Sequence, residues 1–294
     1  MRTPQLLALA LLAIAADADP FTGPVSEYYL DNPGTNTIYV VQGTNVVASF
    51  PMAYGQGEFE GALAVSGNTI RTRASDLRNG PDLGAGEYTL SGTPTGTSYF
   101  TPPTPDLVYY DGTSDGVNNY FVDHGQSNPA DGGVYETDLD WQNPQLLFYP
   151  QGICNNAPSQ TGCWGLSGIA FDPLNASLWV SAKGSPVIQD YSLDGTLLTA
   201  FDTGVTLSDY NAALGYDAAD DTLWLSTGGT NLLRQYSVHG TTFGQLLQEG
   251  TPSGLPREFY DSGDFQVTPE PATFVLLLGV IAVISSPIRL AGRR

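Results

Sequence analysis

Two histidines, two cysteines and a scatter of acidic side chains carry whatever chemistry this 294-residue chain can do. His124 stands in Asp123-His124-Gly125, straight after the apolar run 120–122, which places it at the edge of a strand. His239 stands in Val238-His239-Gly240, where an exposed hairpin residue is expected. The sequence has no Gly-x-Ser-x-Gly elbow, no His-Glu-x-x-His and no phosphate-binding glycine loop. No nucleophile–base pair can be assembled, so no catalytic residue is assigned. Oxygen ligands are better represented. The run Asp111-Gly-Thr-Ser-Asp115-Gly-Val-Asn118, with Asp123 beyond it and Glu60 upstream, alternates oxygen-bearing side chains in the way a calcium shell uses them. It lacks the distal glutamate of a calcium loop, and a glycine-rich β-turn is the competing reading. Asp111, Asp115, Asn118 and Asp123 are the candidate metal ligands, and Ca2+ is the one cofactor they suggest. Cys154 and Cys163 enclose eight residues, a spacing that reads as a local disulfide in an exported chain.

These residues need a scaffold, and a repeat supplies it. At an offset of 45 residues, Asp172, Leu178, Trp179, Ser181, Tyr191, Ser192, Gly195 and Thr196 recur as Asp217, Leu223, Trp224, Ser226, Tyr236, Ser237, Gly240 and Thr241. Weaker echoes of the tyrosine hairpin occur at Tyr39, Tyr88 and Tyr135, so the tyrosines are spaced 49, 47, 56 and 45 apart. The long interval holds the cysteine loop as an insertion. Each unit translates into four strands. In the clearest one an inner strand at 169–171 ends in the turn Asp172-Pro173-Leu174-Asn175. Strands at 177–182 and 187–192 follow, and a tight Asp194-Gly195 hairpin leads into the last, at 196–201. Four antiparallel strands every 40–50 residues are the period of a propeller blade.

Five tyrosine hairpins predict an all-β fold with five blades, six being the near alternative and a β-sandwich the more distant one. Tyr39 precedes any clear inner pair. Its blade is therefore expected to borrow strands from the stretch 258–267, closing the ring with both ends of the chain. Trp179 and Trp224 recur once per unit and so belong between blades. Trp141 and Trp164 lie outside the register and are expected to be exposed.

The units resemble NHL-type and gluconolactonase-like β-propellers, through Gly168-Ile-Ala-Phe-Asp172, Leu178-Trp-Val-Ser181 and Tyr191-Ser-Leu-Asp-Gly-Thr196. The likeness covers most of 60–248 and is strongest in the last two units. It implies a divalent ion held over the central channel by Glu, Asn and Asp side chains. Those ligands do not map onto this chain residue by residue.

The two ends carry addresses. Arg2 precedes an apolar run at 6–16 and a small-x-small site at Ala16-Asp17-Ala18, the pattern of a secretory signal peptide over 1–18. At the other end stand Pro269-Glu270-Pro271, then 17 uncharged residues at 272–288, then Arg289, Arg293 and Arg294. That run is at the short limit for crossing a bilayer, and the arginines would stay on the cytoplasmic side. Together the three features resemble the PEP-CTERM sorting signal of bacterial surface proteins. The resemblance implies an exosortase as the enzyme that reads the tail, after delivery by the secretion machinery.

The expected organisation is a signal peptide at 1–18, a β-propeller ectodomain at 19–268 and a sorting signal with one transmembrane helix at 269–294. All but two of the chain's 30 acidic residues fall in the ectodomain, against six of its ten basic ones. Such a surface repels nucleic acid. The function expected is that of an exported cell-surface or biofilm-matrix protein, a non-catalytic module that binds or displays and has extracellular polysaccharide as a candidate partner. The alternative is a calcium-dependent hydrolase of the lactonase type.

Overall fold

The computed structural model describes residues 20–54, 60–74, 86–99, 107–124, 132–153, 165–205, 213–227, 229–258 and 260–266. They form five four-stranded antiparallel sheets. Blade one joins β1 (Tyr28–Asn32), β2 (Thr37–Gln42) and β3 (Asn45–Pro51). Blade two is β4 (Glu60–Ser66), β5 (Thr69–Ala74), β6 (Gly86–Thr89) and β7 (Pro94–Ser98). Blade three is β8 (Tyr109–Ser114), β9 (Asn118–Asp123), β10 (Val134–Asp138) and β11 (Gln145–Phe148). Blade four is β12 (Leu166–Asp172), β13 (Ser177–Ala182), β14 (Val187–Ser192) and β15 (Leu197–Asp202). Blade five is β16 (Leu214–Asp217), β17 (Thr222–Thr227), β18 (Leu232–Ser237) and β19 (Leu246–Gly250). The remaining strand, β20 (Ser262–Phe265), pairs with β1 and serves as the inner strand of blade one. The architecture is a five-bladed propeller closed by both ends of its chain, as the unpaired Tyr39 hairpin required.

The repeat has a local cause in each blade. Tyr39, Tyr88, Tyr135, Tyr191 and Tyr236 all fall on the third strand of their sheet. At the first turn of blade four, Asp172 Oδ1 accepts from the backbone N–H groups of Leu174 (2.8 Å) and Asn175 (3.4 Å), a side-chain turn that stops β12 and starts β13. Gly195 makes the second hairpin at φ +83°, where a Cβ would meet Phe148 at 2.5 Å.

Between blades, side chains from the second strands and their neighbours form five apolar clusters, one at each interface around the ring. Trp179 and Trp224 are fully buried there, Trp179 edge-on to Phe201 at 5.8 Å and Trp224 edge-on to Phe21 at 6.4 Å. Trp141 departs from expectation. It is fully buried between blades two and three, edge-on to Tyr109 and Phe121 at 6.4 Å. Blade three has Phe121 where blades four and five have tryptophan, and Trp141 swings in from the β10–β11 turn to fill the wedge. It does so at φ +56°, with its N–H bonded to the Asp138 carbonyl. A Cβ on the neighbouring Gly112 would stand 2.7 Å from that indole and 2.9 Å from the Leu63 carbonyl. Trp164, Cys154 and Cys163 lie outside the described residues, as do the leader and the tail. Among the described residues no helix is long and apolar enough to cross a membrane.

Candidate functional site

The inner strands β4, β8, β12, β16 and β20 run side by side around the axis, and side chains bond them across it. Asp111, on β8, is fully buried and accepts from four other groups besides its neighbour. Its Oδ2 takes the N–H of Ile169 on β12 (2.9 Å) and of Leu214 on β16 (3.1 Å). Its Oδ1 takes the N–H of Gly263 (3.0 Å) and the hydroxyl of Ser262 (2.7 Å) on β20, and the N–H of Gly112 (2.8 Å). Ser262 Oγ in turn accepts the Leu63 N–H of β4 at 2.8 Å. One turn of the network further on, Asp264 Oδ2 accepts Val65 N–H (2.9 Å), and its Oδ1 accepts the Thr113 hydroxyl (3.1 Å) and Phe265 N–H (3.0 Å). Thr113 Oγ1 accepts Phe171 N–H at 3.1 Å. Four side chains thereby fasten all five blades, and amides left over at the inner edge of each sheet find acceptors.

Burial pushes the Asp111 carboxyl well above the ordinary carboxylate range, while the Ser262 hydroxyl and the amides of Ile169, Leu214 and Gly263 pull it back. Burial likewise lifts Asp264 to about 8 and Asp261, just before β20, to about 7. The folded chain then holds protons that the unfolded chain releases near pH 4. Between those limits the folded state binds more protons, so stability is greatest at the acid side and is lost as pH rises through 7 to 8. The expected melting temperature is roughly 5–10 °C lower at pH 8.5 than at pH 5, a change of a few kcal/mol in a domain of this size. Calorimetry across that range checks it; a temperature that rises with pH would mean these carboxyls ionise freely.

The metal candidates do not converge. Asp111 is at the centre of the channel. Asp115 holds the β8–β9 turn, its Oδ1 accepting the N–H groups of Val117 and Asn118 at 2.7 Å and its Oδ2 the Tyr120 hydroxyl at 2.8 Å. Asn118 meets this turn through its carbonyl, which accepts from Ser114 Oγ at 2.8 Å. Asp123 is at the opposite end of β9, about 17 Å along the strand from Asn118, with Oδ1 on Val108 N–H at 2.9 Å. Among the described residues no group of three or more His, Cys, Asp and Glu is placed to hold a metal ion. The side chain of Glu60 is outside the description.

The end of the ring around Asp123 gathers other buried charge. Asp31, Arg73 and Asp123 are fully buried there and His124 nearly so. The Arg73 guanidinium lies 4.9 Å from the Tyr109 ring centroid, within cation–π range. His124 stacks on Tyr110 at 4.6 Å, and its Nδ1–H donates to the Leu166 carbonyl at 2.9 Å. In the neutral ring that makes Nε2 the basic nitrogen.

His239 is not the exposed hairpin residue that its turn suggested. It is three-quarters buried and joins blade five to blade four, with Nδ1 2.5 Å from Asp221 Oδ1 and Nε2 3.2 Å from Asp172 Oδ2. Asn175 Nδ2 is 2.9 Å from the same Nε2. The sequence singled out Asp111 as a ligand and passed over Thr113, Ser262 and Asp264. The signal for Ser262 and Asp264 was the Ser-x-Asp alternation of β20, visible only once that strand is known to be an inner one; Thr113 stands in the same alternation with Asp111 on β8.

No protein-family model matches the chain, and no curated protein matches it. Solved structures similar to it include the nidogen/laminin complex, 12% identical over 82% of this chain and 98% of that one, with a TM-score of 0.48. The periplasmic gluconolactonase of Pseudomonas aeruginosa is 13% identical over 79% and 70%, with a TM-score of 0.45. A virginiamycin B lyase from Staphylococcus aureus is 15% identical over 79% and 72%, with a TM-score of 0.42. At these values the likenesses bear on neither activity nor ligand.

Proposed function

We propose that this chain is an exported surface or matrix protein whose propeller is a non-catalytic binding and display module, sorted by its C-terminal tail. The observation that carries the reading is the state of the channel carboxylate. Asp111, the one candidate ligand at the axis, has both oxygens engaged by donors from β8, β12, β16 and β20. A lactonase-type propeller needs such oxygens for its ion, together with open space where ion and substrate meet. The leader, the Pro-Glu-Pro tail and the acidic surface support export and display. A calcium-dependent hydrolase of the lactonase type is the alternative reading.

Export and anchoring are tested by deleting 268–294. The expected outcome is a protein that moves from the cell-associated fraction to the medium. Retention of the truncated protein on cells would remove the tail from the account.

A further inference from the structure

The chain enters and leaves the ring at one end. β1 starts at Tyr28 and β20 stops at Phe265, and these two residues face each other across the pairing with their rings stacked at 4.3 Å. The entering segment is fastened there as well. Asp217, where β16 ends, accepts from the N–H groups of Val25 (3.1 Å) and Ser26 (3.0 Å) and from the Ser26 hydroxyl (2.7 Å). The bonds across the axis advance together, Ser262 to Leu63 and Asp264 to Val65, Asp111 to Ile169 and Thr113 to Phe171, so the inner strands are parallel. The turns that follow β8 and β12 therefore lie at the same end as Phe265.

Two of those turns are tipped with large apolar side chains. Val117 is 71% exposed and Leu174 67%, the two most exposed large hydrophobics among the described residues. They stand on blades three and four, across the ring from blade one, where the chain leaves. Of the carboxylates beside them, Asp115 binds backbone within its own turn and Asp172 is fully buried, while Asp138, Asp140 and Asp194 are exposed in neighbouring turns of the same end, which suits a zwitterionic rather than an anionic bilayer. From β20 to the uncharged run at 272–288 there are only the six residues 266–271. Fully extended, six residues reach about 20 Å.

We infer that the end bearing Phe265, Val117 and Leu174 faces the lipid bilayer, and that the end bearing Arg73, Asp123 and His124 points outward. The inference rests on the membrane-anchored reading of the tail given above. Six residues can separate the ring from an anchored run by no more than about 20 Å. The tail and the two apolar tips are three points out of line, enough to set the plane of the ring against the interface. With the propeller seated this way, the opposite end, with the β1–β2 turn and exposed Thr35, faces away from the membrane.

The test uses the full chain, with its cysteines intact, in phosphatidylcholine vesicles carrying a nitroxide at the lipid headgroup. A fluorescent non-natural side chain is placed at position 117, 174 or 35, one at a time. Thr35 is exposed in the β1–β2 turn of blade one, at the opposite end of the ring, so it reports the same blade as the tail but the other face. The expected result is co-flotation of the protein with the vesicles and at least threefold more quenching at 117 and 174 than at 35. Flotation with equal or greater quenching at 35 overturns the orientation while sparing the anchor. Failure of the full chain to float overturns the anchor reading itself.

Discussion

An Asp111→Ala propeller is expected to lose most of its stability. The substitution removes the acceptor for the amides of Gly112, Ile169, Leu214 and Gly263 and for the Ser262 hydroxyl, all in the buried centre of the ring. A buried donor left without a partner costs about 1–3 kcal/mol. Gly112 N–H and the Ser262 hydroxyl keep second partners in Ser262 Oγ and the Leu63 carbonyl, so three amides are orphaned and the sum is about 3–9 kcal/mol, against roughly 5–15 kcal/mol for a whole domain. Asp111→Asn is the sharper probe. It keeps the shape and one acceptor oxygen but turns an amide N–H2 toward backbone donors on the other side. A melt of the 19–268 ectodomain should show the alanine variant at least 10 °C below wild type, or without a cooperative transition, and the asparagine variant between the two. An alanine variant within 2 °C of wild type would mean that Asp111 does not fasten the blades, and would return it to the list of free ligands.

Removing β20 should be worse. An ectodomain ending at 258 loses the inner strand of blade one, and with it Ser262, Gly263 and Asp264, the partners of Leu63, Asp111, Val65 and Thr113. It also loses the Phe265 ring stacked on Tyr28, and leaves β1 as an unpaired edge in the middle of the protein. A ring with an open seam loses Tyr260 and Phe265 from their shared apolar cluster and exposes what remains of it around Tyr28 and Trp224. The expected product is aggregated or lacks a cooperative melt, whereas an ectodomain ending at 268 melts as one unit. A soluble, cooperatively melting 19–258 fragment would show that the ring does not depend on the closure. Ser262→Ala separates the hydrogen bonds from the strand: it should cost about 1–3 kcal/mol and leave the ring closed.

Both expectations depend on a part of the molecule that the sequence disclosed unevenly. The blades themselves were legible. Wherever a unit keeps Asp at the first turn, Leu-Trp on the second strand and Tyr before a hairpin glycine, each residue answers a local need for a turn, for interblade filling or for positive φ. Units four and five keep all three. The closure was legible for a different reason, because a third-strand tyrosine at position 39 with no inner pair before it demands strands from elsewhere. The axis was not legible. Asp111 and Asp115 look like members of one oxygen-rich run, yet the strand ends between them at Ser114, so one faces the centre of the ring and the other fixes a turn. Trp141 and His239 were misjudged for a related reason. Both sit in turns, where exposure is the ordinary expectation, and both fold back into a gap between blades that no local pattern records.

The central claim, that the propeller binds and displays without a channel metal, meets its most direct test in one measurement. The purified 19–268 ectodomain is melted with excess calcium and again with a chelator. A ligand that binds only the folded state at 100 times its Kd adds about 2.7 kcal/mol, which would raise the melting temperature by several degrees. The account predicts melts that coincide within about 1 °C once ionic strength is matched. A saturable calcium stabilisation of several degrees, abolished by the chelator, would contradict it and turn attention to the lactonase-type reading.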